Sequence, residues 1–353
     1  MEINKIGDLG LENIKKKISN NNPIAVIDLV NNIHGIINTQ LIFVAAKLGI
    51  ADLLVGGCNS ISELSRATGA NENRLLRIMK ALVGKGYFSE NAPGCFELTE
   101  MGEPLLSDYP SSVRDLAIMM GSRWHVYAFG NILEILEGKE SGVERAFNLP
   151  IFDYLGEHPE DGAIFNALMS NISRRQIASI CKAYSFPEKG TIVDVGGGRG
   201  GLLAGVLNSN RLLQGVLFDL PVLADEARNY LESEGVLDRC RVESGSFFEG
   251  TPSDGDIYVL KNIIHDYDDD DALEILRWCR HFMPPQSRLL VIDIVLSEKR
   301  PSFRDSLMDV QMMVVCGGKE RTEAEFRALF SKAGLKLNRL IATRSEVSII
   351  EGL

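Results

Sequence analysis

The sequence predicts an α/β fold in which a doubly wound sheet domain follows a smaller, mostly helical front domain. Three observations carry this. The apolar stretch Thr191-Ile-Val-Asp-Val195 runs into the glycine cluster Gly196-Gly-Gly-Arg-Gly-Gly201, as a strand does when it leads through a close-approach backbone loop into a helix. From Gly190 onward strand-like and helical runs alternate, which is the rhythm of a parallel sheet. Before Gly190 the apolar spacing is helical and is broken by one short hairpin signal. For 353 residues, at about 150 per domain, this gives a front domain 1–110, a helical bridge 111–185 and a sheet domain 186–353.

The front domain opens with Ile24, Val26, Ile27 and Val30, then Leu41, Phe43, Val44, Ala45 and Leu48, the pattern of helices that pack on something larger than themselves. Ser60-Ile-Ser-Glu63 has capping-box spacing and starts a short helix to Thr68; Asn71-Glu-Asn-Arg74 starts another carrying Leu75, Leu76, Ile78, Met79 and Leu82. Tyr87-Phe88, a turn around Asn91-Ala-Pro-Gly94 and Cys95-Phe-Glu-Leu-Thr99 complete a winged helix. The bridge, Val113 to about Ala183, carries Trp124, His125, Tyr127 and Phe129 on one segment and Phe165, Met169, Asn171 and Arg174 on another. Strands are predicted at Thr191–Val195, Gly215–Asp219, Cys240–Glu243, Ile257–Lys261 and Leu289–Ile294, with a late pair near Leu335–Ile341 and Val347–Ile350.

Composition narrows the function classes. A net charge of −11 argues against a polyanionic partner, because phosphate binding needs clustered Lys and Arg. Lys15-Lys16-Lys17 is the one basic triple and reads as a solvated helix face; Arg74, Arg77 and Lys80 give the winged helix only a modest basic face, so its apolar helices are expected to dimerise rather than to read DNA. The six cysteines show no C-x-x-C pair, which argues against a structural zinc or a disulfide framework. No leader pattern and no apolar run near the ~20 residues of a bilayer span is present, so a cytoplasmic protein with no membrane partner is expected.

The glycine cluster, with Asp219 closing Leu217-Phe-Asp-Leu-Pro221, points to a nucleoside cofactor whose ribose diol donates to that acid. Gly196, Gly198 and Gly201 also satisfy the dinucleotide spacing. Two features favour S-adenosylmethionine over a nicotinamide. Asp194 stands inside the strand, where it can orient the loop or meet an ammonium group, and Ile257-Tyr-Val-Leu-Lys-Asn-Ile-Ile-His-Asp-Tyr267 delivers a His-Asp pair past a strand end. The Tyr-x-x-x-Lys pair of a short-chain dehydrogenase is absent. The acidic run Asp268–Asp271, followed by Leu273 and Leu276 at helical spacing, reads as a helix start rather than a metal site.

Asp194-Val-Gly-Gly-Gly-Arg-Gly200, Phe218-Asp-Leu-Pro221, Leu260-Lys-Asn-Ile-Ile-His-Asp-Tyr267 and Gly317-Gly-Lys-Glu-Arg-Thr-Glu-Ala-Glu-Phe326 occur in this order. Together they resemble the S-adenosylmethionine-dependent O-methyltransferases of the caffeate and hydroxyindole type, including bacterial members that decorate secondary metabolites. The resemblance spans nearly the whole chain and implies a Rossmann-like methyltransferase domain behind a winged-helix dimerisation domain, hence a homodimer. It puts Asp194, Gly196, Gly198, Asp219, Leu220, Ser246, Phe247 and Lys261 around the cofactor, with no metal. The family usually carries Asp where Ser246 stands, which costs a charge-assisted hydrogen bond worth roughly 1 kcal/mol.

The same resemblance makes His265 the general base, oriented by Glu320 and Asp293; the family commonly has Glu at the latter position. The chemistry is consistent: a phenol with a pKa of about 10 is neutral at pH 7, and an imidazole of about 6.5 can take its proton. Met119, Trp124, Phe165, Met169, Met308 and Met312, with Met120 and Met313 beside them and Asp266 next to the base, are expected to line the pocket for a small aromatic or polyketide-like acceptor. Alternatives are transfer to nitrogen or carbon, or a hydroxylation, decarboxylation or pericyclic reaction that uses the bound sulfonium without moving its methyl.

Overall fold

The computed structural model describes residues 23–138 and 140–353; the basic triple at Lys15–Lys17 lies outside them. Contacts divide the chain between Gly121 and Ser122 into two units. In the first, Ser60 accepts from Glu63 N while Glu63 accepts from Ser60 N, so the capping box forms and the helix Ile61–Thr68 follows. Asn71 caps Glu72–Gly84 through Arg74 N. The antiparallel hairpin β1 (Phe88–Ala92) and β2 (Cys95–Leu98) completes the winged helix. One face of each element supplies the core, with Leu64, Leu75, Met79, Leu82, Phe88 and Phe96 buried.

The helices Pro23–Ile33 and Gly35–Lys47 behave differently along their length. Ala45 and Ala46 are buried, whereas Ile24, Val26, Ile27, Leu29, Ile33, Ile36 and Ile37 are all more than half exposed. So large a continuous apolar face is what an interface leaves uncovered in one subunit. No single helix among the described residues is long and apolar enough to cross a membrane, although these two, bent by 47°, reach that length and composition together.

The second unit starts with helices Arg123–Gly130, Gly142–Phe147, Ile151–Glu157 and Pro159–Ala183. The sheet strands then follow as β3 (Lys189–Val195), β4 (Leu212–Asp219), β5 (Cys240–Ser244), β6 (Ile257–Lys261) and β7 (Arg288–Asp293). Short β8 (Val295–Leu296) and β9 (Arg321–Thr322) pair with each other, and β10 (Leu337–Ala342) and β11 (Ser348–Gly352) close the chain. The sheet order is β10-β11-β7-β6-β3-β4-β5. Its five-strand centre is parallel and the β10/β11 end antiparallel.

Strand alternation builds a core on each face. Val193 and Val195 join Tyr258, Leu260, Leu289 and Val291 in one apolar cluster, while Ile192 joins Leu217, Ile257, Val259, Leu290 and Ile292 in the other. Each fully buried aliphatic side chain contributes about 1.5–3 kcal/mol. Because β3 pairs with β4 on one side and β6 on the other, the strand order reverses at β3, and the carboxyl ends of β3 and β6 bound the crevice where open α/β sheets take ligands.

Candidate active site

On the β3/β4 side the site is made of backbone. Gly196, Gly198 and Gly200 hold φ of 69°, 59° and 85°, the left-handed region that glycine enters without strain. A Cβ on Gly197 would lie 2.4 Å from Leu217 Cδ1 and 2.6 Å from Asp194 Cγ, whereas one on Gly198 would meet nothing within 4 Å. The loop is thus packed from below and open above. Asp219 accepts from Gly198 N and Leu220 N, each at 2.7 Å, which leaves one lone-pair direction on each oxygen for a diol. Burial raises the Asp219 carboxyl above its ordinary range, partly offset by those two N–H groups.

Asp194 is buried beneath this loop, and its Oδ2 has no hydrogen-bond partner among the described residues. Burial pushes its carboxyl up to about 7 against the opposing pull of Lys261. An orphaned acid oxygen beneath an open glycine loop fits a ligand that brings N–H donors or positive charge, as the amino-acid end of S-adenosylmethionine does. Lys261, at the end of β6, donates from Nζ to Ser173 Oγ at 3.0 Å. Burial lowers it to about 8, opposed by Asp194 and Asp293. Ser246 Oγ accepts from Phe248 N at 3.2 Å, so part of its acceptor capacity is already used. Phe247 packs on Phe248 and Tyr267, and Leu220 is 49% exposed.

On the β6/β7 side the site is made of side chains. His265 sits on the 3₁₀ turn Ile264–Asp266 just past β6. Its Nδ1 lies 2.9 Å from Glu320 Oε1, while Nε2 lies 3.7 Å from Asp266 Oδ1. In the neutral imidazole, a hydrogen bond to a carboxylate puts the proton on Nδ1 and leaves Nε2 as the acceptor. Asp293 ends β7 fully buried, with neither oxygen hydrogen-bonded among the described residues, so it acts on His265 through charge alone. Burial by itself would lower His265, but Asp293, Asp266 and Glu320 outweigh it and raise the imidazole to about 10. Burial likewise pushes Asp293 up to about 7, and Asp266 upward while Cys316 Sγ donates to it at 3.3 Å.

Several supporting residues escape a reading of the sequence. Gly318 is pressed so close that a Cβ there would lie 2.1 Å from His265 O, and Lys319 N donates to that oxygen at 3.0 Å. Asp309 accepts from Glu320 N at 2.9 Å. Arg321, a residue type found mostly at surfaces, is fully buried beneath the His265 turn. The adjacent glycines Gly317 and Gly318 were the one available signal that two backbones meet here.

The residues expected around an acceptor are spread more widely. Trp124 is buried, edge-on to His125 and tilted against Tyr154. Phe165 packs edge-on to Phe152, and Met169 lies half-buried on the same helix, Pro159–Ala183. Met308 and Met312 share the helix Phe303–Val315 with Gln311, whose amide meets His125 Nε2 within 3.2 Å. Met119 belongs to the first unit, where it is buried. Asp268 caps the helix Asp269–Phe282 by accepting from Asp270 N and Asp271 N, which accounts for the acidic run.

Residues 132–336 match the O-methyltransferase domain model and residues 30–108 the O-methyltransferase dimerisation domain model. The chain is similar to the phenazine O-methyltransferase of Lysobacter antibioticus, at 38% identity over 93% of this chain and 96% of that one. It is also similar to the phenazine-1-carboxylate N-methyltransferase of Pseudomonas aeruginosa, at 31% identity over 94% and 98%. An O-methyltransferase from neocarzinostatin biosynthesis, solved with S-adenosylmethionine and 2-hydroxy-5-methyl naphthoic acid, superposes with a TM-score of 0.82 at 32% identity, covering 89% of this chain and 95% of its own.

Proposed function

The chain belongs to the S-adenosylmethionine-dependent O-methyltransferase family, and on that premise we propose that it methylates a hydroxyl of a small fused-ring aromatic metabolite, with His265 as the general base. Bound S-adenosylmethionine supplies an electrophilic methyl on a sulfonium sulfur. Gly196, Gly198 and their neighbours would hold its methionine part with Asp194, Asp219 its ribose, and Leu220, Ser246 and Phe247 its adenine, with Lys261 closing the site from β6. The exposed apolar helices of the front unit, the second of them within the match to the dimerisation domain, support a homodimer.

The observation that carries this reading is the 2.9 Å pairing of His265 Nδ1 with Glu320, which frees Nε2 to accept the hydroxyl proton. As the O–CH3 bond forms and the sulfonium C–S bond breaks, the acceptor O–H proton passes to Nε2. The imidazolium so formed is stabilised by Glu320, Asp293 and Asp266. Its raised proton affinity strengthens the base and places the acid limb of activity above the ordinary histidine value.

Transfer to nitrogen is the second reading, favoured by the similarity to an N-methyltransferase. Methyl-labelled S-adenosylmethionine offered with a hydroxyphenazine, a dihydroxynaphthoate and phenazine-1-carboxylate separates the two. Label in an aryl methyl ether, formed by wild type but not by a His265→Ala variant that still binds cofactor, is the expected result. Label on a ring nitrogen supports the second reading, and equal labelling by both proteins removes His265 from the chemistry.

A further inference from the structure

We propose that Arg321 is the positioning residue that holds His265 and Glu320 in register, an inference that rests on the reading of this pair as the acid–base unit. The turn Ile264–Asp266 is a single 3₁₀ turn and makes few bonds of its own, so its carbonyls need outside donors. Arg321 supplies them. Its Nη1 donates to Ile264 O at 2.8 Å and to Lys319 O at 3.3 Å, and its Nη2 to Tyr267 O at 3.0 Å. Thus one guanidinium grips the residue before His265, the residue after Asp266 and the residue before Glu320.

The orientation of that fork is fixed from outside. Asp269 Oδ1 accepts from Nε at 3.0 Å and lies 2.9 Å from Nη2. Arg321 is 0% exposed, whereas the Asp269 side chain is 57% exposed and also 3.6 Å from Lys319 Nζ. Burying a guanidinium costs more than a surface ion pair returns, so a surface bridge alone does not explain the placement. Three carbonyls from the two segments that carry the base and its orienting acid do. A planar guanidinium with five fixed donors serves all three and Asp269 at once; an ammonium, with three donors on one nitrogen, cannot.

The test is a double-mutant cycle between Arg321→Lys and His265→Asn, read by label transfer from S-adenosylmethionine to a hydroxyphenazine and a dihydroxynaphthoate. Cofactor affinity by calorimetry serves as the check on folding. Arg321→Lys is expected to bind cofactor as wild type does and to lose about a hundredfold in kcat, the scale of a small misplacement of reacting groups. In the His265→Asn background the same change is expected to cost nothing, because Arg321 acts through the imidazole. Equal losses in both backgrounds would show a general structural role and overturn the inference. Full activity of His265→Asn would instead overturn the acid–base reading beneath it.

A readout free of any acceptor accompanies the cycle. In protein with isotope-labelled histidine, assigned through the His265→Asn spectrum, the Nδ1–H proton shared with Glu320 is expected downfield in wild type and absent in Arg321→Lys. Its survival unchanged would overturn the inference whether or not a substrate is in hand. Should Arg321→Lys fail to bind cofactor, Asp269→Asn at the exposed end of the same fork is expected to weaken that resonance and lower kcat, and an unchanged resonance there counts against the proposal equally.

Discussion

After β3 and β4 the site is built of peptide groups from a five-residue glycine loop and one acid, Asp219, held by the loop's Gly198 N–H and by Leu220 N–H. After β6 and β7 it is assembled from side chains that converge from distant parts of the chain, His265 and Glu320 being 55 residues apart. The first arrangement leaves no room for a Cβ at Gly196 or Gly197 but needs little support from elsewhere. The second needs a turn, a strand end and a separate loop all correctly placed, and here they are locked by Gly318, Lys319 and Arg321. On the proposed reading, binding and chemistry depend on different parts of the sheet edge and should fail separately.

The largest effect should come from Glu320→Gln. Glu320 is fully buried against Nδ1, and the amide keeps its shape while removing the charge that fixes the tautomer and stabilises the imidazolium. A loss of about a hundredfold in kcat is expected, with cofactor affinity by calorimetry unchanged. A parallel fall in affinity would show that the two sides are one site and break the comparison.

That contrast also explains what could be read without coordinates. The cofactor side is local: strand β6 lies where its residues predicted, β3 and β4 extend theirs by two or three residues at the start, and Gly196 to Asp219 announce themselves through glycine spacing and one strand-end acid. On the chemical side His265, Asp293 and Glu320 were read through ordered motifs of a family, since in the residues between His265 and Glu320 only the adjacent glycines Gly317 and Gly318 hint that two backbones meet. The bracing by Arg321 and the hydrogen bond from Lys261 to Ser173 were hidden. Arginine and lysine report a charge but not the partner that allows them to be buried.

The complementary probe on the cofactor side is Gly198→Ala. The added Cβ meets nothing within 4 Å, yet φ is 59°, so the cost is conformational, about 1–2 kcal/mol or roughly tenfold in cofactor Kd. Turnover at saturating cofactor should be unchanged. A drop in kcat there would show that the loop positions the reacting groups as well as binding.

Asp293→Asn sharpens the comparison through pH. Among the charges that raise His265 to about 10, Asp293 is the strongest, so its loss moves the acid limb of kcat/KM to lower pH. The linkage to stability has the same origin. A histidine raised in the folded state contributes fully below about 6.5 and loses that contribution as pH rises through about 10, and Asp293→Asn shortens this window from its alkaline end. An acid limb left in place would remove Asp293 from the base's surroundings.

The smallest expected change concerns the adenine end. Ser246 Oγ already accepts from Phe248 N at 3.2 Å, and a neutral hydroxyl shared in this way is a weak acceptor for an adenine amino group. Aspartate can accept from the same N–H while offering a second, charged oxygen, so Ser246→Asp should keep the turn and strengthen the outward bond. A gain of about 1 kcal/mol, roughly fivefold in S-adenosylmethionine Kd, is expected by calorimetry. The acid limb of kcat/KM should stay where wild type has it, because Ser246 follows β5 and His265, the proposed base, follows β6. If affinity falls instead, the serine is a fitted part of this pocket, and the cofactor side is less purely a matter of backbone than its glycines suggest.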